Sequence, residues 1–207
     1  MRVEGVILAA GLSTRMGKAK LVIEIDGLAL VMWVVRAALQ SALDRVVLVA
    51  GPSDPLLEEI LRPVSDHPKF TSVVNPHPER GMSSSLVMGV SEIRTDATGI
   101  LIMLGDQPRL TAGIINELLA VFEADPSRIV LPSVQGRRTT PVLFPACLRS
   151  DLLRTTGDVG GRDVVNRNTH KIVQVEMGSR YDDSDADTPE DVCILKARTS
   201  SDKGDTE

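Results

Sequence analysis

Apolar stretches of strand length recur along the chain, at residues 3–9 (VEGVILA), 45–50 (RVVLVA), 71–74 (TSVV), 99–104 (GILIML), 128–131 (RIVL), 141–144 (PVLF) and 172–176 (IVQVE). Most are continuous apolar blocks without polar alternation, the pattern of strands covered on both faces. Helix-length segments separate them at 28–42, 55–62, 83–94 and 111–124, with apolar positions near helical spacing and with Ser83 and Thr111 where N-caps are expected. Strands alternating with helices predict an α/β fold whose largely parallel sheet lies between two helical layers. Such sheets bind ligands beyond the carboxyl ends of their strands, which directs attention to the loops at 10–20, 51–54, 75–82, 105–110 and 132–140. No internal repeat is visible; residues 1–198 read as one domain and TSSDKGDTE at 199–207 as a disordered tail.

Composition narrows the function classes. Of 207 residues 43% are hydrophobic but only 2% aromatic, so the core rests on Val, Leu, Ile and Ala and there is little to stack nucleic-acid bases on. A net charge of −5 argues against a general duplex-binding protein, and no nucleic-acid partner is expected. Cys147 and Cys193 form no C-x-x-C pair and read as buried small hydrophobes; His67, His77 and His170 stand singly, as loop or surface residues. The apolar run LALVMWVV at 28–35 is stopped by Arg36, too short for a membrane span, and Glu4 breaks the stretch that a secretory leader would need. The expectation is a cytoplasmic protein without a membrane partner.

The first loop, LAAGLSTRMGKAK at 8–20, combines Gly11 and Gly17, the hydroxyls of Ser13 and Thr14, and the cations Arg15, Lys18 and Lys20. It is not a P-loop: five residues separate the glycines and Ala19, not Ser or Thr, follows Lys18. Nor is it a G-x-G-x-x-G turn. It reads either as another kind of phosphate-binding loop or as a glycine turn with solvated cations, and its place after the first strand favours phosphate.

Three further segments carry chemistry. GILIMLGDQPRL at 99–110 ends its strand in Gly105, Asp106 and Gln107; a carboxylate there must be paired or hold a cation, which makes Asp106 the leading metal ligand over a turn or cap role. DDSDADTPED at 182–191 reads as a helix start, with Thr188 as N-cap and Pro189 next, and leaves Asp185 and Asp187 free to reach a metal if the fold brings them to Asp106. NPHPERGMSSSLVMGV at 75–90 leads through Gly81 and Ser83 into a helix, either as a simple cap or as a base or ribose contact.

Taken in order, L-A-A-G-x-S-x-R-M-G-x-x-K (Leu8 to Lys20), LGDQP (Leu104 to Pro108), the glycine–serine helix start (Gly81 to Leu86), GRR before PVLF (Gly136 to Phe144), GDVGGR (Gly157 to Arg162) and DADTPED (Asp185 to Asp191) resemble the MobA/MocA-like nucleotidyltransferases, in particular the molybdenum cofactor cytidylyltransferase branch. The resemblance runs from about residue 5 to 195 and implies a Rossmann-like three-layer αβα sandwich with a mostly parallel mixed sheet. It implies a nucleotide site at Leu8, Ala9, Ala10, Gly11, Ser13, Arg15, Lys20, Gly81, Ser83, Ser85 and Gly105, with Arg15 and Lys20 on the triphosphate. It places Mg²⁺ on Asp106 and Asp187 and the acceptor near Gln107, Arg137, Arg138, Thr140 and Asp158. Arg15, Lys20 and Asp106 are then the catalytic set. Ala10, where guanylyl enzymes tend to have glycine, is similar to the cytidylyl branch and crowds the base towards a pyrimidine.

The implied reaction is transfer of CMP from CTP, or of another nucleotide from its triphosphate, to a phosphorylated small molecule with release of pyrophosphate. Molybdopterin is the first acceptor to consider, with an apo-molybdoenzyme as a partner downstream. One departure bears on the acceptor: the branch usually reads G-R-R-G-H-P where this chain has GRRTTP, with Thr139 and Thr140. Two other classes are a nicotinamide-dependent reductase on the same fold, disfavoured by the missing dinucleotide fingerprint, and a non-catalytic cofactor chaperone, disfavoured by retention of Arg15, Lys20 and Asp106.

Overall fold

The structure is a computed structural model that describes residues 1–11, 20–52 and 55–184. Ser13, Arg15, Lys18, Asp185, Asp187, Thr188, Cys193 and the expected tail at 199–207 lie outside the described residues.

Among the described residues, ten strands and six helices follow in chain order: β1 (Val3–Ala9), β2 (Glu24–Ile25), β3 (Leu28–Ala29), α1 (Leu30–Gln40), β4 (Arg45–Ala50), α2 (Pro55–Leu61), β5 (Phe70–Val74), α3 (Met82–Glu92), β6 (Gly99–Leu104), α4 (Ala112–Ala124), β7 (Ile129–Val134), β8 (Arg137–Arg138), β9 (Val142–Pro145), α5 (Arg149–Leu152), α6 (Arg162–Arg167) and β10 (Ile172–Glu176). The main sheet runs β10-β7-β9-β6-β1-β4-β5, with β8 paired to β7. All pairs of this sheet are parallel except those of β9 with β6 and β7 and of β8 with β7, and β2 and β3 form a separate antiparallel pair. Because β9 runs against both neighbours, β7 and β10 point the same way as β6, and six strands end at one edge.

The continuous apolar blocks are explained by burial on both faces. Ile7, Leu48, Leu101 and Met103 pack in one cluster with α1 and α4, whereas Val6, Val47, Val49, Ile100 and Ile102 pack in a second with α3 and with Leu152 and Val164 of α5 and α6. Neighbouring residues of one strand thus serve opposite layers, and the sandwich is three-layered as expected. Helix α3 lies close on the sheet at Gly89: a side chain there would come within 2.3 Å of Val6 Cγ1 and 2.9 Å of Val49 Cγ2. Its carboxyl end is held by two arginines. Arg45 Nη1 donates to the Glu92 carbonyl at 2.6 Å and Arg149 Nη2 to the Ile93 carbonyl at 2.6 Å, so positive charge meets the carbonyls that the last turn leaves unpaired. Arg45 also faces the fully buried Glu4 at 3.8 Å, as Arg94 does at 3.9 Å.

Thr111 caps α4 as expected, its hydroxyl accepting from the Ile114 amide at 3.3 Å. Four other expectations are corrected. Ser83 is not an N-cap: α3 starts at Met82 and Gly81 occupies the cap position. Helix 28–42 begins later, because Asp26 and Gly27, both at positive φ, form a tight turn between β2 and β3 and draw Leu28 and Ala29 into a strand. Segment 132–140 is no simple loop, since β7 continues to Val134 and turns through Gln135 and Gly136, again both at positive φ, into β8. Cys147 is exposed, not buried, on the short turn that follows β9. Among the described residues no helix is long and apolar enough to cross a membrane.

Glu176, at the end of β10, fastens the β7–β8 turn. Its carboxylate accepts from Ser133 Oγ at 2.7 Å, Gln135 N at 3.1 Å, Gly178 N at 3.2 Å and Gly136 N at 3.3 Å. The Ser133 hydroxyl, followed by the backbone amides, holds this carboxyl below its ordinary value of 4.5. A lowered folded-state value stabilises the fold above the unfolded value and is lost as pH falls through the folded one. Glu176→Gln is therefore expected to lower the melting temperature at about pH 6, with the gap to the unaltered protein closing towards about pH 3. Parallel melting curves for the two proteins at every pH refute this role.

Candidate active site

The site is assembled where β1 and β6 end side by side. Leu8 pairs with Leu104, and the Gly105 amide donates to the Leu8 carbonyl at 2.9 Å, carrying the pairing one step beyond β6. Asp106 follows at once. Ala10 and Gly11 follow β1, and Lys20 opens a short 3-10 turn, Lys20–Val22. Lys20 Nζ lies 2.7 Å from Asp106 Oδ2, and the two side chains are only 10% and 25% exposed. Charges so far from water require such a partner.

Asp106 Oδ1 is different: it is buried and has no hydrogen-bond partner among the described residues. A carboxylate with one oxygen on an ammonium and the other unsatisfied is suited to a hard divalent cation, whose ligands are oxygens. Among the described residues no group of three or more His, Cys, Asp or Glu side chains is gathered. The described donor thus fits a cation of the Mg²⁺ type, which one or two carboxylates can hold with water and substrate phosphate.

The remaining sequence-derived residues fall into two groups along the same edge. Leu8 and Ala9 end β1, Ala10 is buried just beyond, and Gly11 is exposed. Gly81 precedes α3, and Ser83 and Ser85 are buried in its first turn; the Ser83 hydroxyl has no hydrogen-bond partner among the described residues. Asp158 meets this group at the start of α3. Its Oδ1 accepts from the Met82 amide at 3.1 Å and the Gly157 carbonyl accepts from the Ser83 amide at 3.0 Å, so this distant loop caps α3. Gly81 makes the approach feasible. At φ 92° and ψ 171° it adopts a conformation open to glycine, and a Cβ would stand 2.6 Å from the Gly157 carbonyl.

Gln107, Arg137 and Thr140 meet on the other side. Gln107, 2% exposed, is bonded to Thr140 Oγ1 at 2.6 Å, and Arg137 pairs with Asp183 at 2.9 Å. Arg138 is exposed on β8.

Four residues here were not read from the sequence as site residues. Asn75 is buried and joins β5 to α3, its Nδ2 donating to Ser84 Oγ at 2.8 Å and Ser85 Oγ at 2.9 Å while its Oδ1 accepts from the His77 amide at 2.9 Å. The Asn–Pro dipeptide after a strand was the available signal, since Asn commonly bonds the backbone two residues on. Tyr181, Asp183 and Glu176 carry no spacing that marks them.

The layers and strand order define the class, an α/β protein with a mostly parallel sheet and a Lys–Asp pair at its strand ends. The chain belongs to the MobA-like NTP transferase domain family, which it matches over residues 5–172. It is similar to the purine catabolism protein PucB of Bacillus subtilis (30% identity, covering 95% of this chain and 97% of PucB). It is also similar to the molybdenum cofactor cytidylyltransferase of Escherichia coli (24% identity, covering 95% and 96%). Among solved structures, Rv0371c of Mycobacterium tuberculosis superposes with a TM-score of 0.80 at 25% identity, over 95% of this chain and 98% of that one. A second structure of Rv0371c, a complex with manganese, gives a TM-score of 0.78 at 23% identity, over 95% and 99%.

The cap geometry makes a distinction possible. Asp158→Ala is expected to destabilise the protein by about 1 kcal/mol in urea unfolding, the usual weight of an N-cap. Gly81→Ala is expected to destabilise it by about 1–3 kcal/mol through backbone strain, with further loss from the clash. Unchanged stability of Asp158→Ala would mean that its carboxylate does not cap α3.

Proposed function

We propose that this protein transfers a nucleotidyl group from a nucleoside triphosphate, CTP by first preference, to a phosphorylated small molecule and releases pyrophosphate. The observation that carries the reading is the unsatisfied Asp106 Oδ1 next to the Lys20–Asp106 pair at the ends of β1 and β6. Family membership supports the reaction type. Similarity to a molybdenum cofactor cytidylyltransferase supports molybdopterin as the acceptor and CTP as the donor, and an apo-molybdoenzyme as the recipient of the product.

In this reading an acceptor phosphate oxygen attacks the α-phosphorus in line; the new O–P bond forms as the bond to the β-phosphate oxygen breaks and pyrophosphate leaves. Asp106, with Asp187 from outside the described residues, would hold a divalent cation, Mg²⁺ or Mn²⁺. Such a cation, when bound, neutralises the negative charge that keeps two phosphates apart. Lys20 brings an ammonium to the triphosphate, and Arg15 is assigned the same task; both take up charge that grows on the leaving pyrophosphate. The backbone from Leu8 to Gly11, with Ser13, and the Gly81, Ser83, Ser85 and Gly105 region would line the nucleotide. Arg137 and Arg138 supply cations for the acceptor phosphate. A phosphate nucleophile is already ionised at neutral pH, so no general base is called for.

Three comparisons test this. Asp106→Asn should abolish pyrophosphate release from CTP with molybdopterin while the melting temperature stays within a few degrees of the unaltered protein; full activity at saturating Mg²⁺ overturns the metal assignment. Lys20→Ala should weaken triphosphate binding far more than Lys18→Ala in a calorimetric titration. Ala10, buried at the end of β1, should favour CTP over GTP by about ten-fold or more, the weight of one methyl group in a snug pocket. Ala10→Gly should then gain activity with GTP, and a competition assay in which it gains none removes Ala10 as the residue that selects the base.

A further inference from the structure

Tyr181 is the only tyrosine in the chain and is 2% exposed. Its hydroxyl donates to the Thr140 carbonyl at 2.8 Å. The Thr140 hydroxyl lies 2.6 Å from Gln107 Oε1, and Gln107 Nε2 lies 3.4 Å from the carbonyl of Asp183, two residues beyond Tyr181. The directions are forced by chemistry. A backbone carbonyl can only accept, so the amide nitrogen of Gln107 faces Asp183; its oxygen then faces Thr140, and the threonine hydroxyl must donate.

The ring therefore starts and ends on one segment, 181–183, and passes through the β8–β9 connection and the loop after β6. Arg137 adds a tie across it, its Nη2 2.9 Å from each Asp183 carboxylate oxygen. Both ends of the Gln107 amide are oriented, and Gln107 is the residue next to Asp106. Hydrogen-bonded side chains in a water-poor setting hold one another in a single arrangement.

We propose that Tyr181 is a positioning residue for the cation site: through Thr140 and Gln107 it holds the Asp106 loop in the conformation that binds a divalent metal ion. This rests on the reading of Asp106 as a cation ligand. Tyr181 touches no substrate in this account, and Thr140 acts by orienting Gln107 and not by contacting the acceptor.

The test is a titration of the full-length protein with Mn²⁺ alone, with free Mn²⁺ read by electron paramagnetic resonance. Tyr181→Phe and Thr140→Val should each weaken binding by about ten-fold, the lower end of the effect expected of groups that orient a metal ligand. The double variant should bind no worse than about either single variant, because both break the same ring. Thr140→Ser, which keeps the hydroxyl, should bind like the unaltered protein. Val165→Ala, a buried truncation in α6, serves as a control that lowers the melting temperature and leaves Mn²⁺ affinity unchanged. Unaltered affinity in Tyr181→Phe, or an equal loss in Val165→Ala, overturns the role of the ring while Asp106→Asn still loses the metal. If Asp106→Asn binds Mn²⁺ as the unaltered protein does, the cation reading of Asp106 falls and the positioning role with it.

Discussion

Parallel pairing of β1 with β4 on one side and β6 on the other is the constraint from which the rest follows. The register sets Ala9 beside Ala50 and Leu8 beside Leu104, so three strands stop at one level and three loops open onto one edge. Parallel strands need crossover connections, which here carry helices that bury both faces of the sheet. Backbone amides and side chains at the strand ends are the polar groups left for a ligand. Lys20 and Asp106, 86 residues apart in sequence, meet there because β1 and β6 are neighbours, and each charge offsets part of the other's loss of water.

Helix α3 shows how the rest of the structure serves that edge. Contact at Gly89 fixes its height above Val6 and Val49, Arg45 and Arg149 hold its carboxyl end, and Gly157 with Asp158 holds its amino end. Asn75 then ties Ser84 and Ser85 to the end of β5. The helix is located along its axis at both ends and laterally by a strand, which leaves the serines little freedom of position. On the opposite side of β6, the Glu176-fastened turn performs the same service for Arg137 and Arg138. Both walls are fixed by hydrogen bonds from groups that lie far apart in the sequence.

The strands were legible because burial on both faces leaves a continuous apolar signature, and Asp106 because a carboxylate directly after such a block has few structural reasons to be there. What was not legible is non-local. Three consecutive serines made Ser83 look like a cap, but the group that meets the Met82 amide is Asp158, 76 residues away. The reading of 28–42 as one helix failed differently: apolar Leu28 and Ala29 continue the helical pattern backwards, and the Asp26–Gly27 turn was the local signal against it. Cys147 was assigned by residue type, whereas its place after β9 decides its exposure. Tyr181 shows no pattern because its partners, Thr140 and through it Gln107, come from two other loops.

The antiparallel strand β9 has a consequence for how the chain acquires its structure. β6 and β7 have no ladder with one another; each pairs with β9, which lies later in sequence than both. Strands β1, β4, β5 and β6 can collapse with their helices as soon as residue 104 is available, whereas β7 must wait for four residues, Val142–Pro145, to be slotted in beside it. The β7–β9 contact, Val130 to Leu143, is nearly local, whereas β6 must find β9 across the whole of α4 and β7. In synthesis order β1, β4, β5 and β6 are complete before β9 exists, so the segment that carries Arg137, Thr140 and Tyr181 can join the sheet only after the edge at β1 and β6 has been made.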